Sequence, residues 1–290
     1  MECIRKEQGF TLIELSIVLV IIGLIVGGVL VGQDLIRAAE IRATISQLEK
    51  YNTAVNTFRG KYNAIPGDIA EASAVTFGFY NNAACTGAAG LRDGNGLLDG
   101  TAGAGSLLQG AGETGLFWQD LSSANGLNLN LIEGSYTTAT CATAGAITAA
   151  TAPNYMPAAK LGRGNYFYVY ETNGTNYYGL ANVGTGAAGA LVTATSMSPS
   201  QAFNIDNKID DGLPLTGAVT AYGINASSAL GWVGASPASA GSPNITAATV
   251  QSGTTCYDNG NTGAAAAVYS LGTLANGGLG PNCALSVRFQ

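Results

Sequence analysis

A long apolar run near the amino terminus constrains this chain more than any other feature. From Phe10 to Val31 the sequence is apolar almost without interruption, and roughly 20 such residues suffice for a helix to cross a bilayer. Glu14 interrupts the run, and a carboxylate in hydrocarbon costs about 3 kcal/mol or more. Arg5 and Lys6 precede the run and favour a cytoplasmic location for this end. The pattern predicts a membrane helix whose single charge has a function.

The residues around this run resemble the class III signal of type IV prepilins and type II secretion pseudopilins. In the segment KEQGFTLIELSIVLVIIGLI, a small residue, Gly9, stands before the apolar run. A secretory signal instead has a shorter apolar run, and its small-residue cleavage site comes after that run. In that family a prepilin peptidase cuts after the glycine on the cytoplasmic face and methylates the new terminus. The resemblance implies cleavage between Gly9 and Phe10, N-methylation of Phe10 and an assembly role for Glu14. The alternative is a plain membrane anchor with a chance glutamate.

The position of the glutamate suggests a mechanism for that role. Cleavage after Gly9 creates an α-amino group at Phe10 that is cationic near neutral pH. Glu14 can bend back to this amine within one subunit, or pair with the Phe10 amine of a neighbour in a filament. Because an unpaired charge in an apolar core is so costly, such a pair fixes register strongly. Our hypothesis is that Glu14 sets the stagger between subunits.

The composition favours an extracytoplasmic location for the rest of the chain. Net charge is −6, pI is about 4.6 and only 10% of residues are charged, so no basic surface for nucleic acid is expected. The abundance of Gly, Ala, Ser, Thr and Asn favours a loop-rich β-domain over a charged cytosolic enzyme. Disorder is the competing interpretation of so much Gly and Ala.

The cysteines point to the same compartment. Cys85, Cys141, Cys256 and Cys283 remain after leader removal, and this even number predicts two disulfides in an oxidising environment. Of the three possible pairings, proximity along the chain favours Cys85–Cys141 and Cys256–Cys283. The chain has no His and no C-x-x-C pair, which makes zinc improbable.

The helix is expected to continue from Gln33 to Tyr62 as an amphipathic one. Apolar residues recur there at spacings of three and four, namely Ile41, Ile45, Leu48, Tyr51, Val55, Phe58 and Tyr62. Pro66 cannot continue a helix and disfavours one at Ile65. The segment KYNAIPGDI is also similar to the segment after this helix in many pilins and pseudopilins.

Strand patterns come after the helix. Two Tyr-rich segments, 165–170 and 176–181, flank Asn173-Gly174, which is a strong hairpin signal. Further elements are expected as helices at 116–121 and 198–208, the second capped by Ser198, and as strands at 217–222 and 283–289.

A helix followed by antiparallel strands gives an α+β domain. The resemblance implies a pilin-like fold in which the long N-terminal helix packs on an antiparallel β-sheet. The expected organisation is a prepilin leader over 1–9, a long helix over 10–62 whose 10–31 part is the transmembrane segment and filament core, and a β-rich extracytoplasmic head over 63–290. A last strand tied back by Cys256–Cys283 would match the disulfide-closed C-terminal region of many pilins.

One acidic loop is a candidate calcium site. Asp93, Asn95 and Asp99 place three oxygen side chains at a spacing that can surround a hard cation, and Glu113 could supply a remote ligand. The loop lacks the bidentate glutamate of an EF-hand, since its twelfth position is Ala104. The alternative is an Asx-type turn among glycines. No cofactor is required otherwise.

A second acidic cluster comprises Asp206, Asp210 and Asp211. These carboxylates could bind a cation or act as acid and base, but a helix end followed by a turn explains them better. The chain has no G-x-S-x-G motif and, without His, no Ser-His or Cys-His nucleophile system. We therefore expect a protein that is not an enzyme, with a membrane-anchored hydrolase as the remaining enzymatic alternative.

The expected function is that of a structural prepilin of a type IV pilus-like bacterial filament. Its expected partners are copies of itself and related pilins, a prepilin peptidase and an inner-membrane assembly platform. Before assembly it would cross the inner membrane once with its head in the periplasm, and afterwards it would lie in a pilus or pseudopilus, up to the cell surface. The alternatives are a type II secretion pseudopilin and a minor pilin whose head binds a ligand or surface.

Overall fold

The computed structural model gives the positions of most of the chain. It describes residues 11–80, 92–98, 112–122, 129–137, 147–172, 174–187, 190–194, 196–223, 255–258, 267–272, 277–280 and 283–289.

A single helix, α1, runs from Leu12 to Tyr62 and is about 77 Å long at 1.5 Å per residue. It ends at Asn63, which takes a left-handed conformation (φ 53°) and donates its backbone N–H to the Arg59 carbonyl. Ile65-Pro66 comes next, as the sequence predicts. The predicted amphipathic stripe is confirmed, because five of its residues are buried and Ile45 and Tyr62 pack half-buried against them.

The remaining elements are short helices followed by strands, with one further helix, α4, between β3 and β4. The helices are α2 (Glu71–Phe77), α3 (Gly112–Leu121), a 3-10 turn (Ala152–Asn154) and α4 (Pro199–Ile209). The strands are β1 (Asn165–Thr172), β2 (Thr175–Ala187), β3 (Ala190–Ala194), β4 (Val219–Gly223), β5 (Tyr257–Asp258), β6 (Val268–Tyr269) and β7 (Cys283–Arg288).

An antiparallel sheet forms the centre of the head. Its order is β1-β2-β7-β4, with β3 also paired to β2, and β5 and β6 form a separate small sheet. Thr172 pairs with Thr175, so the β1–β2 loop contains two residues, and the hairpin predicted from Asn173-Gly174 is confirmed. The chain is therefore an α+β protein with a long N-terminal helix and an antiparallel sheet domain.

The C-terminal half of α1 packs against this head through aromatic side chains. The Tyr51 ring lies 5.1 Å from that of Trp118 in α3 and 5.4 Å from that of Phe167 in β1, both in edge-on geometry. Trp118, Phe167 and Tyr178 are almost fully buried. These contacts place the C-terminal half of α1 in the hydrophobic core of the described residues.

Several elements differ from the sequence predictions. The segment 71–77 forms α2, and neither this helix nor strands β5 and β6 were predicted. Strand β2 extends to Ala187, well beyond the expected 176–181. Short helices and two-residue strands are stabilised by tertiary contacts rather than by local pattern, so the sequence alone gives little signal for them.

Candidate functional site

The amino terminus of α1 holds Glu14 in a capping box. The Thr11 backbone N–H and hydroxyl donate to Glu14 Oε2 at 2.8 and 2.7 Å, and the Glu14 N–H donates back to Thr11 Oγ1 at 3.4 Å. The carboxylate thus lies at the positive end of the helix, beside the residue that follows Phe10. The capping role of Thr11 was missed, although Thr-x-x-Glu before an apolar run is its known sequence signal.

Beyond the cap, α1 stands away from the head. Every large apolar side chain between Leu12 and Ile36 is at least 51% exposed. Among the described residues, α1 is the one helix that is both long enough and apolar enough to cross a membrane. The mean hydropathy of its most apolar 18 residues is 2.9. The apolar N-terminal helix thus fits membrane anchoring, as in prepilins. Gly9 and Phe10, the predicted cleavage and methylation positions, lie outside the described residues, so their roles stay predictions.

Three carboxylates converge where the loop after α1 meets α3. Oxygens of Asp68, Asp93 and Glu113 lie within 4.8 Å of one another. Backbone N–H groups already donate to all three: Gly94 and Gly96 to Asp68 at 2.9 and 2.7 Å, Asn95 to Asp93 at 2.9 Å, and Asp93 to Glu113 at 3.3 Å. Burial raises the pKa of the Asp68 carboxyl above its usual range, and the Asp93 charge adds to this.

The structure changes the ligand set predicted for calcium. Asn95 donates its side-chain amide to Asp93 and accepts the Leu97 N–H with its oxygen, which is the alternative Asx-type arrangement. Asp99 lies outside the described residues. Asp68 was missed because it lies 25 residues before Asp93, and no local spacing connects the two. The calcium site stays a prediction.

The carboxylates of the second acidic cluster accept hydrogen bonds from the loop that follows α4. Oxygens of Asp206, Asp210 and Asp211 also lie within 4.8 Å. Asp206 accepts from the Tyr269 hydroxyl at 2.7 Å and from the Gly212 N–H at 3.3 Å. Asp210 accepts backbone N–H groups of the following loop, and Asp211 accepts from the Thr216 hydroxyl at 2.7 Å. These bonds match the helix end and turn expected from the sequence.

A disulfide closes the C-terminal part of the head. Cys256 and Cys283 are bonded, with Cα atoms 5.1 Å apart. Cys283 begins β7, in the middle of the main sheet, so the bond ties the segment before β5 to that sheet. Cys85 and Cys141 lie outside the described residues, and their pairing stays a prediction.

Comparison with known proteins identifies the amino-terminal segment. Residues 4–30 match the family model of the prokaryotic N-terminal methylation motif. No curated protein and no solved structure matches the chain. The matched residues include the Thr11–Glu14 capping box and most of the exposed apolar helix described above. The chain therefore carries the class III prepilin signal of type IV pilins and pseudopilins.

Proposed function

We propose that this chain is a structural subunit of a type IV pilus-like filament, cleaved after Gly9 and assembled through α1. The observation that carries the proposal is the exposed apolar half of that helix, continuous with the half that packs on the head. Exposed apolar surface is unfavourable in water at about 25 cal/mol per Å². The bilayer covers this surface before assembly, and neighbouring copies of α1 cover it in the filament.

Glu14 gives the filament its register in this proposal. Before cleavage its carboxylate is occupied by Thr11 of the same chain. Cleavage creates the Phe10 amine next to Thr11, and insertion of a subunit brings that amine to the Glu14 carboxylate of a neighbour. An ion pair between two groups in an apolar core is maintained because separating them leaves two unpaired buried charges.

The test compares two substitutions of Glu14. Glu14→Gln keeps a residue that can complete a capping box but removes the charge, whereas Glu14→Ala removes both. We expect intact-mass and N-terminal analysis of sheared filaments to find a chain starting at methylated Phe10 in wild type. Neither variant should enter filaments. Glu49→Ala, a change at an exposed glutamate in the same helix, should assemble normally.

Three outcomes contradict the proposal. A mature chain that keeps residues 1–9, or that never leaves the membrane fraction, excludes the filament role. Normal assembly of Glu14→Gln shows that the cap, rather than the charge, is needed for assembly. If filaments form only in cells with an active type II secretion system, the chain is a pseudopilin. If substitutions in the head abolish adhesion while filaments stay intact, the chain is a minor pilin with a binding head.

The calcium prediction has a separate test. Calcium is expected to raise the unfolding temperature of the head through Asp68, Asp93 and Glu113, because the cation relieves repulsion among three converging carboxylates. Asp93→Asn should reduce the effect, and Asp210→Asn in the other cluster should not. An unfolding temperature that does not change with calcium or with a chelator contradicts the prediction.

A further inference from the structure

A polar groove separates α1 from α4 at the base of the head. Its volume is about 260 Å³. Residues of α1 between Asp34 and Ile41 and of α4 between Ser200 and Lys208 form its walls, and Ser198, Arg163 and Leu279 complete the lining. The volume lies below the roughly 300–1,000 Å³ of pockets for drug-sized molecules, so a small group suits it.

The groove concentrates positive charge on an acidic protein. Arg37, Arg163 and Lys208 all line it, although the whole chain carries a net charge of −6. Asp34 is the acidic lining residue. Its carboxylate lies 3.8 Å from the Arg37 guanidinium, but its side chain is 81% exposed, and such a surface pair neutralises little. The groove therefore favours an anion.

Its position along α1 places it at the depth of lipid headgroups. If the bilayer core covers about 20 residues from Leu12, it ends near Val31. Asp34 and Arg37 then lie about 5 and 9 Å farther along the helix axis at 1.5 Å per residue. The headgroup layer on each side of a bilayer is about 5–8 Å thick. Asp34 thus lies at the depth of the headgroup layer, and the long side chain of Arg37 can reach that layer from just beyond it.

One exposed apolar side chain, Leu279, lines the same groove, and two more lie on other faces of the same turn of α1. Leu35 and Ile36 lie between Asp34 and Arg37 and are 67% and 59% exposed, and Leu279 in the lining is 52% exposed. Cations directly beside exposed aliphatic groups are typical of protein surfaces that contact a membrane interface. A free phosphate ion makes no favourable contact with the aliphatic side chains, whereas the acyl chains of a lipid do.

We propose that the groove between α1 and α4 binds the phosphate group of an anionic phospholipid in the outer leaflet of the membrane that α1 crosses. The inference rests on the membrane-spanning part of the proposed function and names a ligand for the subunit before assembly. Bound lipid holds the base of the head against the membrane surface. Extraction of the subunit into a filament then has to release it.

The experiment measures lipid binding by the full-length protein in non-ionic detergent micelles. Fluorescent phosphatidylglycerol is titrated into wild type and into Arg37→Gln, Arg163→Gln and Lys208→Gln. Each variant should bind about fivefold more weakly, as expected from roughly 1 kcal/mol per basic residue at an anionic lipid surface. Phosphatidylcholine should bind more weakly than phosphatidylglycerol, and millimolar inorganic phosphate should not displace the lipid.

A matched control separates the groove from general surface charge. The triple change Arg42→Gln, Lys50→Gln and Lys160→Gln removes the same charge from exposed positions outside the groove. This control change should leave lipid binding unchanged. The triple groove variant, which combines Arg37→Gln, Arg163→Gln and Lys208→Gln, should no longer bind the lipid. Equal losses in both triple variants, no loss in either, or displacement of the lipid by free phosphate would each overturn the proposal.

Flotation with neutral phosphatidylcholine vesicles distinguishes this failure from failure of the proposed function. If the protein floats with these vesicles but its groove and control variants bind phosphatidylglycerol equally well, only the proposed lipid site is contradicted. A protein that does not float lacks the membrane helix that both proposals need.

Discussion

At the scale of single residues, the turn after α1 depends on a glycine. Gly67 has φ +86°, and a Cβ there would lie 2.4 Å from the Glu113 carbonyl oxygen and 3.0 Å from the Phe117 backbone nitrogen. Gly96 has nearly the same φ, +87°, but nothing lies within 4 Å of a Cβ built on it. The two positions therefore share the backbone cost of a side chain and differ only in space.

This comparison gives the first prediction. Gly67→Ala should lower the free energy of unfolding by about 3 kcal/mol, since backbone strain and overpacking add. Gly96→Ala should lower it by about 1 kcal/mol, from backbone strain alone. Denaturant unfolding of both variants measures the difference, and equal values would show that the backbone around Gly67 moves to admit a methyl group.

Asp206 makes stability depend on pH. Burial raises the pKa of its carboxyl to about 6, although hydrogen bonds from Tyr269 and Gly212 lower it in part. The folded protein therefore holds this proton up to a higher pH than the unfolded chain does. The contribution of Asp206 to stability is greatest below about pH 4 and decreases as the pH rises through 6.

The second prediction follows from that sign. Relative to wild type, Asp206→Asn should gain about 1–2 kcal/mol between pH 4 and pH 7, because the amide can still accept from Gly212 and bond Tyr269 without a charge. Asp211→Asn is the control of opposite sign, since hydrogen bonds from Thr216 and Leu213 lower the pKa of the Asp211 carboxyl. Unfolding series at several pH values test both; parallel curves for wild type and Asp206→Asn would contradict the prediction.

At the scale of elements, a buried ion pair joins α3 to the loops beside it. Arg92 donates to both oxygens of Asp120 at 2.8 and 2.6 Å, and both side chains are about 1% exposed. Asp120 also accepts the Gly67 N–H at 2.8 Å, and Arg92 donates to the Tyr80 carbonyl at 3.1 Å. The pair therefore holds the turn after α1, the segment after α2 and α3 together.

The third prediction concerns this pair. Asp120→Ala should lower the free energy of unfolding by about 3–5 kcal/mol, because it leaves the Arg92 charge buried without a partner. The double change Arg92→Met with Asp120→Leu should cost less than Asp120→Ala alone. Asp34→Ala, which breaks the exposed pair with Arg37, should cost at most about 1 kcal/mol. Equal costs for the buried and exposed pairs in chemical denaturation would contradict this interpretation.

At the scale of the whole molecule, the N-terminal and C-terminal parts of α1 have different surroundings. Its buried residues begin at Ile41, while its large apolar side chains up to Ile36 are exposed. The half before Asp34 thus contributes little to the stability of the head. The fold keeps the exposed apolar residues and the residues of the head core in separate parts of one helix.

The fourth prediction tests this division. A chain that begins at Asp34 should fold as a soluble monomer, because it keeps the α1 residues that pack on the head and loses all of the exposed apolar run except Leu35 and Ile36. A chain that begins at Asn63 should not fold, because Tyr51 and Phe58 leave the core. Near-ultraviolet circular dichroism and size-exclusion chromatography, with the Cys256–Cys283 bond oxidised, give the answer. Folding of the shorter chain would contradict the prediction.

Local sequence pattern was enough to predict a set of features that each depend on neighbours along the chain. The apolar run, the amphipathic stripe, the Pro66 stop, the Asn173-Gly174 hairpin and the Ser198 cap follow from composition and periodicity over a few turns or strand residues. The methylation motif is equally local, which is why 27 residues suffice to recognise it.

The meeting of distant side chains, in contrast, depends on the tertiary fold. Asp68 joins Asp93 and Glu113, Arg92 finds Asp120, and Arg37 shares a groove with Arg163 and Lys208. No periodicity connects positions so far apart in the chain, because helix and strand repeats lose their phase at every loop. Tertiary packing brings these charges together, and among them burial raises the pKa of the Asp68 carboxyl.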